Sequence, residues 1–598
     1  MGMAKFKHIF SAALVCAGAC GATAKALPIS GMPAPEAGKT AIGGSTAVLN
    51  PASTTWESCP ILDGLSYRDE TVVSSEITHD APLTRISLRN MLPVPRTIQV
   101  TANAPRAAQS TKTVALGPDA TATIALPVVF AAENEYDYGG APVILYEHRP
   151  PNGDAPKSAP LESPCSVSSY HDNYGGTREN KINILLSAGI VRDAVMPAFK
   201  HDFNTVELRS DAADWPRDFR AYLPFDAVCL TTEVANALPE ETRAALRAFE
   251  ILGGAVVKLA DAKRIPPNLQ STVEAAQRRR IGDLKVRHYY YGSSSSDSVF
   301  TENHACVPIK VGKSLPVGLL VVLLALVAFI VMPGLVFACA KRNKRLLILA
   351  ALPGTAFALT LVVAAVALFA YGTTPTVRIQ SITVLEPDRR LAVTRGQFAV
   401  FAPGNVTDEV SIPLDVSFRL RGRGPERFVA SFGDSCRLDG DWIKPLTATF
   451  FDFERAEHRS ERLDVKSAQD GGLTFANLLG VPVTGGMARF GDKRYTVPAL
   501  APGEQATVKG EPTQGADAYA SPVYETLLGK GTSYGRNWDD VTKLLKDGKL
   551  PLPDKTYVVQ LAGSPFFPSP LSSRKTYETA ESVVTGSFAL EGGKEAAK

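Results

Sequence analysis

The sequence lacks the residue clusters from which most metal centres are built. Its eight cysteines include no C-x-x-C pair, and its eight histidines include no H-x-H or H-E-x-x-H arrangement. Structural zinc sites need closely spaced thiolate and imidazole ligands, and calcium loops need several acidic residues within about a dozen positions. We therefore expect no metal, and the sequence indicates no other cofactor.

The chain also lacks an excess of charge of either sign. Lysine and arginine number 63 and acidic residues 60, so the formal net charge is only +3 over 598 residues. Without a strong positive field we expect no nucleic-acid partner. The length suggests about three or four domains, and the many prolines, valines and threonines favour β-rich ones with frequent turns.

The N-terminal segment has the pattern of a cleavable secretory signal over residues 1–25. Lys5 and Lys7 supply the cationic start, Ile9–Ala19 is a short apolar run, and Ala22–Ala24 is an A-x-A cleavage pattern. Residues 26–55 follow as a leader rich in Pro, Ala, Gly, Ser and Thr, typical of a flexible segment. This pattern predicts that the region after it lies outside the cytoplasm.

Residues 315–340 and 346–371 form two long apolar runs without a charged side chain. A basic stretch, residues 341–345, separates them. Each exceeds the ~20 residues that cross the hydrocarbon core of a bilayer, so the sequence predicts a two-helix transmembrane hairpin. Positive loops stay in the cytoplasm. The loop 341–345 therefore predicts a two-pass bacterial inner-membrane protein whose N- and C-terminal domains are periplasmic. The topology-determining residues are Lys341, Arg342, Lys344 and Arg345.

The outer region before the hairpin has two parts of different periodicity. Residues 56–150 contain short alternating runs such as Thr84–Leu88 and Thr121–Leu126, which predict a β-sandwich. A linker spans residues 151–176. Residues 177–292 alternate buried-type strands with helical segments, including a helix from Glu240 to Leu252, which predicts a parallel α/β domain. A second linker covers residues 293–314.

The region after the hairpin, residues 372–598, is again rich in strand patterns. Val410–Val416 and Tyr557–Leu561 are examples, and turn residues such as Ala501–Glu504 separate them. We predict a second β-sandwich-like domain here. The predicted fold class is thus multidomain: a β-sandwich, a parallel amidotransferase- or flavodoxin-like α/β domain, a transmembrane hairpin and a C-terminal β-sandwich-like domain.

Several stretches of the chain resemble a group of bacterial membrane proteins. In that group a β domain and an extracytoplasmic domain similar to class I glutamine amidotransferases precede a membrane hairpin and a β-rich tail. The matching stretches are Trp215–Val228, Leu252–Val256, Leu315–Gly318, 341–345, Ser381–Leu385 and Ser564–Phe567. The resemblance implies architecture and location, and it implies no particular activity.

The chemistry of an amidotransferase is not evident in the candidate residues. Such a site needs a cysteine on a tight strand-to-helix turn, usually within G-x-C-x-G, with a histidine partner. Cys229 lies instead inside the apolar run Ala227–Leu230, which favours a buried packing role. Gly531–Gly535 matches G-x-S-x-G but does not follow a buried strand, so a glycine-rich loop is the better interpretation. We therefore expect no catalytic residues and, on balance, no enzyme.

One disulfide is predicted from the placement of cysteines in an oxidising compartment. Cys59 and Cys165 lie at opposite ends of the first β region, each next to a proline, so that a bridge would tie its entry to its exit. Cys306 is the competing partner.

These features favour a non-catalytic envelope scaffold or sensor, anchored in the cytoplasmic membrane, whose α/β domain binds a protein partner or a small ligand. Two alternatives stay open: an amidotransferase-like hydrolase, and an accessory subunit of a membrane transport or secretion complex. Protein partners in the envelope are expected in the first and third cases.

Overall fold

The computed structural model divides the chain into two compact units, 1–43 with 310–373, and 44–309 with 374–598. The residues that the structure describes are 46–49, 56–59, 61–69, 83–103, 108–127, 143–148, 156–161, 182–190, 203–208, 211–223, 225–259, 325–341, 353–363, 365, 374–402, 410–421, 428–440, 442–443, 447–468, 471–512, 552, 554–571 and 577–589. Strands are numbered below in chain order.

Five parallel strands form one sheet of the larger unit. In spatial order they are β1 (Thr46–Leu49), β11 (Phe203–Leu208), β10 (Ile182–Ser187), β12 (Ala227–Thr231) and β13 (Ala255–Leu259). Two helices connect β12 to β13, α1 (Thr232–Ala237) and α2 (Glu240–Ile251). The predicted end of the second helix is confirmed, because Gly253 adopts a φ of 109° and Gly254 lies directly under the Phe249 ring, where a side chain would clash.

The N-terminal β region contributes to two further sheets. A four-stranded sheet has the order β2 (Glu57–Ser58), β3 (Leu65–Asp69), β4 (Leu83–Asn90) and β7 (Thr121–Pro127). A seven-stranded sheet has the order β16 (Val410–Ile412), β19 (Cys436–Gly440), β18 (Phe428–Phe432), β6 (Ala108–Leu116), β5 (Arg96–Asn103), β8 (Val143–Glu147) and β9 (Lys157–Leu161). A turn follows β6, with Asp119 at a φ of 52°.

The seven-stranded sheet joins parts of the chain that are far apart in sequence. Strand β18 pairs in parallel with β6, with Ser431 opposite Thr111. The Thr111 hydroxyl donates a hydrogen bond to the Ser431 hydroxyl over 3.3 Å. The sequence did not predict this pairing, which makes the N-terminal and C-terminal β regions parts of one sheet.

The C-terminal region forms the largest sheet. Its nine strands have the order β17 (Val416–Arg421), β20 (Ala448–His458), β15 (Leu391–Phe401), β14 (Thr376–Glu386), β28 (Tyr577–Ser587), β27 (Thr556–Leu561), β23 (Val483–Phe490), β24 (Lys493–Val497) and β26 (Glu511–Pro512). A three-stranded sheet has the order β21 (Arg462–Ser467), β22 (Leu473–Leu478) and β25 (Gln505–Val508).

Stacked aromatic rings cover one face of this nine-stranded sheet. Phe398 and Phe451 stack with centroids 4.6 Å apart, and Phe567 stacks on Phe453 at 3.8 Å. These rings belong to a buried cluster that also contains residues of the N-terminal sheets. Gly396 lies beneath the Phe453 ring, where a Cβ atom would lie 2.6 Å from the ring. The core of the larger unit is therefore shared between the N- and C-terminal β regions.

The predicted fold class is wrong as a whole. The described part of the chain is mostly strand, and its parallel strands do not form the separate amidotransferase- or flavodoxin-like domain expected over residues 177–292. The reason is that the parallel sheet takes β1 from far upstream, and that its helix α2 packs on β15 of the nine-stranded sheet. The local strand patterns were correct, but tertiary pairing decided the architecture.

The smaller unit contains the apolar segments. A π-helical turn over Val327–Val331 leads into the helix α3 (Met332–Lys341), and a further helix covers 353–363. Among the described residues, no helix combines the length and the apolar character needed to cross a membrane. The transmembrane hairpin of the predicted fold class is therefore not shown by the described residues. It rested on the apolar composition of the two runs, which by itself does not establish an uninterrupted helix.

Candidate functional site

The carboxyl edge of the parallel sheet is the first place to look for a binding site, because open parallel sheets bind ligands beyond the carboxyl ends of their strands. Three hydroxyl side chains reach this edge in the described part of the sheet. Ser187 ends β10, Thr231 ends β12, and Thr232 begins α1. Ser187 is fully buried, at 0% exposed.

All three hydroxyls are engaged in hydrogen bonds within the edge. The Ser187 hydroxyl oxygen accepts from the Thr231 backbone N–H over 3.1 Å. The Thr231 hydroxyl oxygen caps α1 by accepting from the Val234 N–H over 3.2 Å. The Thr232 hydroxyl donates to the Leu259 carbonyl over 3.0 Å. These bonds tie the ends of β10, β12 and β13 together.

Cys229 lies in the middle of β12, two residues before this edge. Its side chain is fully buried against apolar neighbours that include Ile184 and Ala255. Burial raises the pKa of the Cys229 thiol to about 12. A thiol in this environment is protonated and shielded at neutral pH, which agrees with the packing role expected from the sequence.

The segment Trp215–Val228, which carries part of the family resemblance, packs between the parallel sheet and helix α2. Trp215 is buried, and its carbonyl accepts a hydrogen bond from the Thr242 hydroxyl over 3.3 Å. The Tyr222 hydroxyl donates to the Pro216 carbonyl over 2.7 Å, and burial, with a smaller contribution from Asp218, raises the Tyr222 pKa. The conspicuous aromatic residues of this segment therefore serve packing.

Arg220 connects this segment to the C-terminal β region. It is almost fully buried and forms an ion pair with Asp218. Its Nη1 donates to the carbonyl oxygens of Leu414 at 2.7 Å and Val416 at 3.5 Å. The pair with Asp218 holds the guanidinium in a fixed orientation. The two bonds to carbonyl oxygens then join the parallel sheet and its helices to the start of β17.

Side chains of alternating charge lie at the end of strand β20 and beside it. Arg455 pairs with Asp415 at 2.8 Å and with Glu457 at 2.9 Å, and Arg459 pairs with the same Glu457 oxygen at 2.9 Å. Burial raises the pKa of Glu457, and the two arginines offset this only in part. The other Glu457 oxygen, Oε1, is buried and has no hydrogen-bond partner among the described residues.

The Ser564–Phe567 stretch, another part of the resemblance, lies against these charged side chains. The Phe566 carbonyl accepts from Arg455 Nη1 over 2.8 Å, and the Arg459 guanidinium lies 6.0 Å from the centre of the Phe566 ring. Phe567 fills the aromatic cluster described above. The arginines hold the backbone of this stretch, while its two rings are buried.

The residues predicted to set topology are only partly within the described chain. Lys341 is the exposed last residue of α3, whereas Arg342, Lys344 and Arg345 lie outside the described residues. Cys59 is buried at 2% exposed, and its predicted disulfide partner Cys165 also lies outside them. The bridge therefore stays a prediction, which mass mapping of the unreduced protein would check.

Sequence reasoning missed the residues that organise the site. The cap at Thr231 could have been found, because a threonine between an apolar strand and a helical segment is a standard N-terminal signal. Arg220 and Arg455 gave no such signal, since their partners are distant in sequence. Within the described residues, no group of three or more His, Cys, Asp or Glu side chains is arranged to hold a metal ion.

Comparisons with known proteins add little to this geometry. No protein-family profile matches the chain, and no curated protein is significantly similar to it. Among solved structures, the yeast delta-COP-I mu-homology domain aligns with 36% of this chain and 95% of its own length, at 6% identity and a TM-score of 0.18. A TM-score this low carries no argument about fold or function. The resemblance noted from the sequence stays a prediction.

Proposed function

We propose that this protein is a non-catalytic scaffold or sensor of the bacterial cell envelope, acting outside the cytoplasm, which binds a protein partner at the carboxyl edge of its parallel sheet. The observation that carries the proposal is the closed hydrogen-bond arrangement of Ser187, Thr231 and Thr232 at that edge. Catalysis there would need a hydroxyl or thiol that is free to react, and these hydroxyls hold the edge in place instead.

The buried thiol supports the same proposal. Cys229 is the nearest thiol to the edge among the described residues, and its raised pKa and complete burial oppose thiolate formation. A rigid edge suits recognition, because a preorganised surface loses little entropy when a partner binds. Arg220 adds to this rigidity by fixing the parallel sheet to the C-terminal β region.

Site-directed photo-cross-linking tests the binding proposal. Glu233 is exposed in the first turn of α1, beside the carboxyl edge. A photo-reactive residue at Glu233 is expected to capture a discrete protein partner in intact cells. The matched control is the same residue at Asp492, an exposed acidic position between β23 and β24. Capture at Asp492 alone, or equally at both positions, would contradict partner binding at this edge.

Electrophile labelling tests the absence of catalysis. Folded protein is treated with a fluorophosphonate for serines and with iodoacetamide for thiols, and labelled peptides are identified by mass spectrometry. We expect no fluorophosphonate label on Ser187 in either state, because an unactivated serine hydroxyl is a weak nucleophile, and iodoacetamide label on Cys229 only after denaturation. Stoichiometric modification of either residue in the folded protein at neutral pH would show a reactive nucleophile and would overturn the non-catalytic proposal.

A further inference from the structure

Strand β1 comes from a different part of the sequence than the other four strands of the parallel sheet. Strands β10 to β13 follow one another between Ile182 and Leu259, whereas β1 comes from Thr46–Leu49 and is followed by β2, in another sheet, at Glu57. Among the described strands it pairs with β11 alone, in parallel, from Thr46 opposite Thr205 to Leu49 opposite Leu208. The outer edge of β11 is therefore filled by a segment that the chain supplies from far upstream.

The pairing of β1 is short. Four residues form few ladder hydrogen bonds, and each such bond contributes only modestly to net stability because water competes for the same groups. The strand at the other edge, β13, pairs over five residues, and the inner strands are held on both sides. Strand β1 is therefore the part of this sheet that is most easily released.

The two edges of the sheet differ in how they would receive an added strand. The β13 edge carries the exposed Lys258, and a charged residue on an edge strand opposes further pairing. Strand β11 also carries a charged residue, the half-buried Glu207, but it is already paired there, with Val48 of β1 as its register partner. The resident strand at the β11 edge, Thr46–Leu49, has no charged residue and reads Thr-Ala-Val-Leu. Strand addition of this kind takes its affinity from main-chain hydrogen bonds, so the resident sequence indicates what the edge accepts.

We propose that the outer edge of β11 is a binding site for an extended, uncharged peptide segment of a partner protein, and that Thr46–Leu49 is its displaceable resident strand. The partner segment would run parallel to β11 and replace β1 in the same register. This inference goes beyond the proposed function, because it adds a second binding site on the parallel sheet, away from the carboxyl edge. It concerns the β11 edge, whereas the photo-cross-linking above probes α1.

Peptide binding to a vacated edge tests the proposal directly. In the full chain, Ala47→Pro with Val48→Pro removes two N–H donors and prevents β1 from pairing. The probe is a fluorescein-labelled peptide with the sequence of residues 44–51, followed by fluorescence anisotropy. We expect it to bind the double variant at least about tenfold more tightly than the unaltered chain, which is the gain expected when a competing intramolecular strand is removed. The same peptide with proline at both central positions should not bind.

A cross-linking measurement keeps the proposal testable if the proline variant does not fold. Ala47 and Val206 are register partners, so Ala47→Cys with Val206→Cys should form an intrachain disulfide on mild oxidation. Excess unlabelled 44–51 peptide should slow that reaction at least severalfold, because it competes for the β11 edge. An unchanged rate at millimolar peptide, or no binding to a folded proline variant, would overturn the proposal. Either result leaves the Glu233 cross-linking outcome unaffected, so the two proposals can fail separately.

Discussion

Removal of one partner from the buried Arg96–Glu147 ion pair should destabilise the larger unit strongly. Arg96 Nε donates to Glu147 Oε1 over 2.8 Å, and Arg96 Nη2 donates to Glu147 Oε2 over 2.6 Å. The two side chains are only 2% and 1% exposed. A third bond joins Arg96 Nη1 to the carbonyl of Asp63 at 2.6 Å, which links the seven-stranded sheet to the start of β3 in the four-stranded sheet.

The magnitude follows from what each substitution leaves behind. Arg96→Met leaves the Glu147 carboxylate buried without a cation, which typically costs about 3–5 kcal/mol. It also leaves the Asp63 carbonyl without its hydrogen-bond donor, which by itself costs about 1–3 kcal/mol. The two costs arise from the same substitution and are not simply added. The double change Arg96→Met with Glu147→Leu removes both charges. Its cost should therefore be smaller, about 1–3 kcal/mol, and set mainly by Asp63.

Urea denaturation followed by circular dichroism measures these differences. The matched control is Arg395→Met. Arg395 pairs with Glu454 at 3.5 Å but is 30% exposed, so its removal should cost less than about 1 kcal/mol. A cost of Arg96→Met no greater than that of Arg395→Met, or a double variant less stable than Arg96→Met alone, would refute this prediction.

Three further predictions concern the cores and the thiol. Phe567→Ala should cost about 3–5 kcal/mol in the same denaturation assay, because it empties the stacked cluster, whereas Phe567→Leu should cost clearly less. Gly396→Ala should cost about 1–3 kcal/mol, because its Cβ would lie 2.4 Å from a backbone carbonyl oxygen. The control Gly433→Ala, whose Cβ would meet nothing within 4 Å, should be near neutral. Equal denaturation midpoints for the two variants would contradict this prediction. Cys229→Ala should cost roughly 1 kcal/mol. The folded thiol, with a pKa raised to about 12, should react with iodoacetamide far more slowly than an exposed thiol, and its rate should still be rising at pH 10; a rapid reaction that levels off above about pH 9, as for a thiol with an ordinary pKa, would contradict this.

Local pattern predicted many individual elements of this fold. Strand patterns placed strands at Thr84–Leu88 and Tyr557–Leu561, and the helix predicted from Glu240 to Leu252 is present as α2. These features depend on residues close in sequence, so a single sequence contains their signal.

The architecture depended on contacts that no local pattern records. The pairing of β18 with β6, the insertion of β1 beside β11, and the docking of α2 on β15 all join distant segments. A strand pattern specifies which face is buried, but not which other strand lies beside it. The expectation of separate domains followed from that missing information. The residues of the candidate edge were missed for the same reason, since the Ser187 hydroxyl meets its partner at Thr231 only in the folded sheet.

The N- and C-terminal β regions form one scaffold through the pairing of β6 with β18. Thr111 and Ser431 are register partners whose hydroxyls already lie within 3.3 Å, so Thr111→Cys with Ser431→Cys should form a disulfide readily in the folded protein. The control Thr113→Cys with Ser431→Cys moves one cysteine two residues along β6 and should cross-link far more slowly. Rapid bond formation in the first variant alone, detected by mass spectrometry of unreduced peptides, is the predicted result. Absence of that bond, or equal rates in both variants, would contradict the shared sheet.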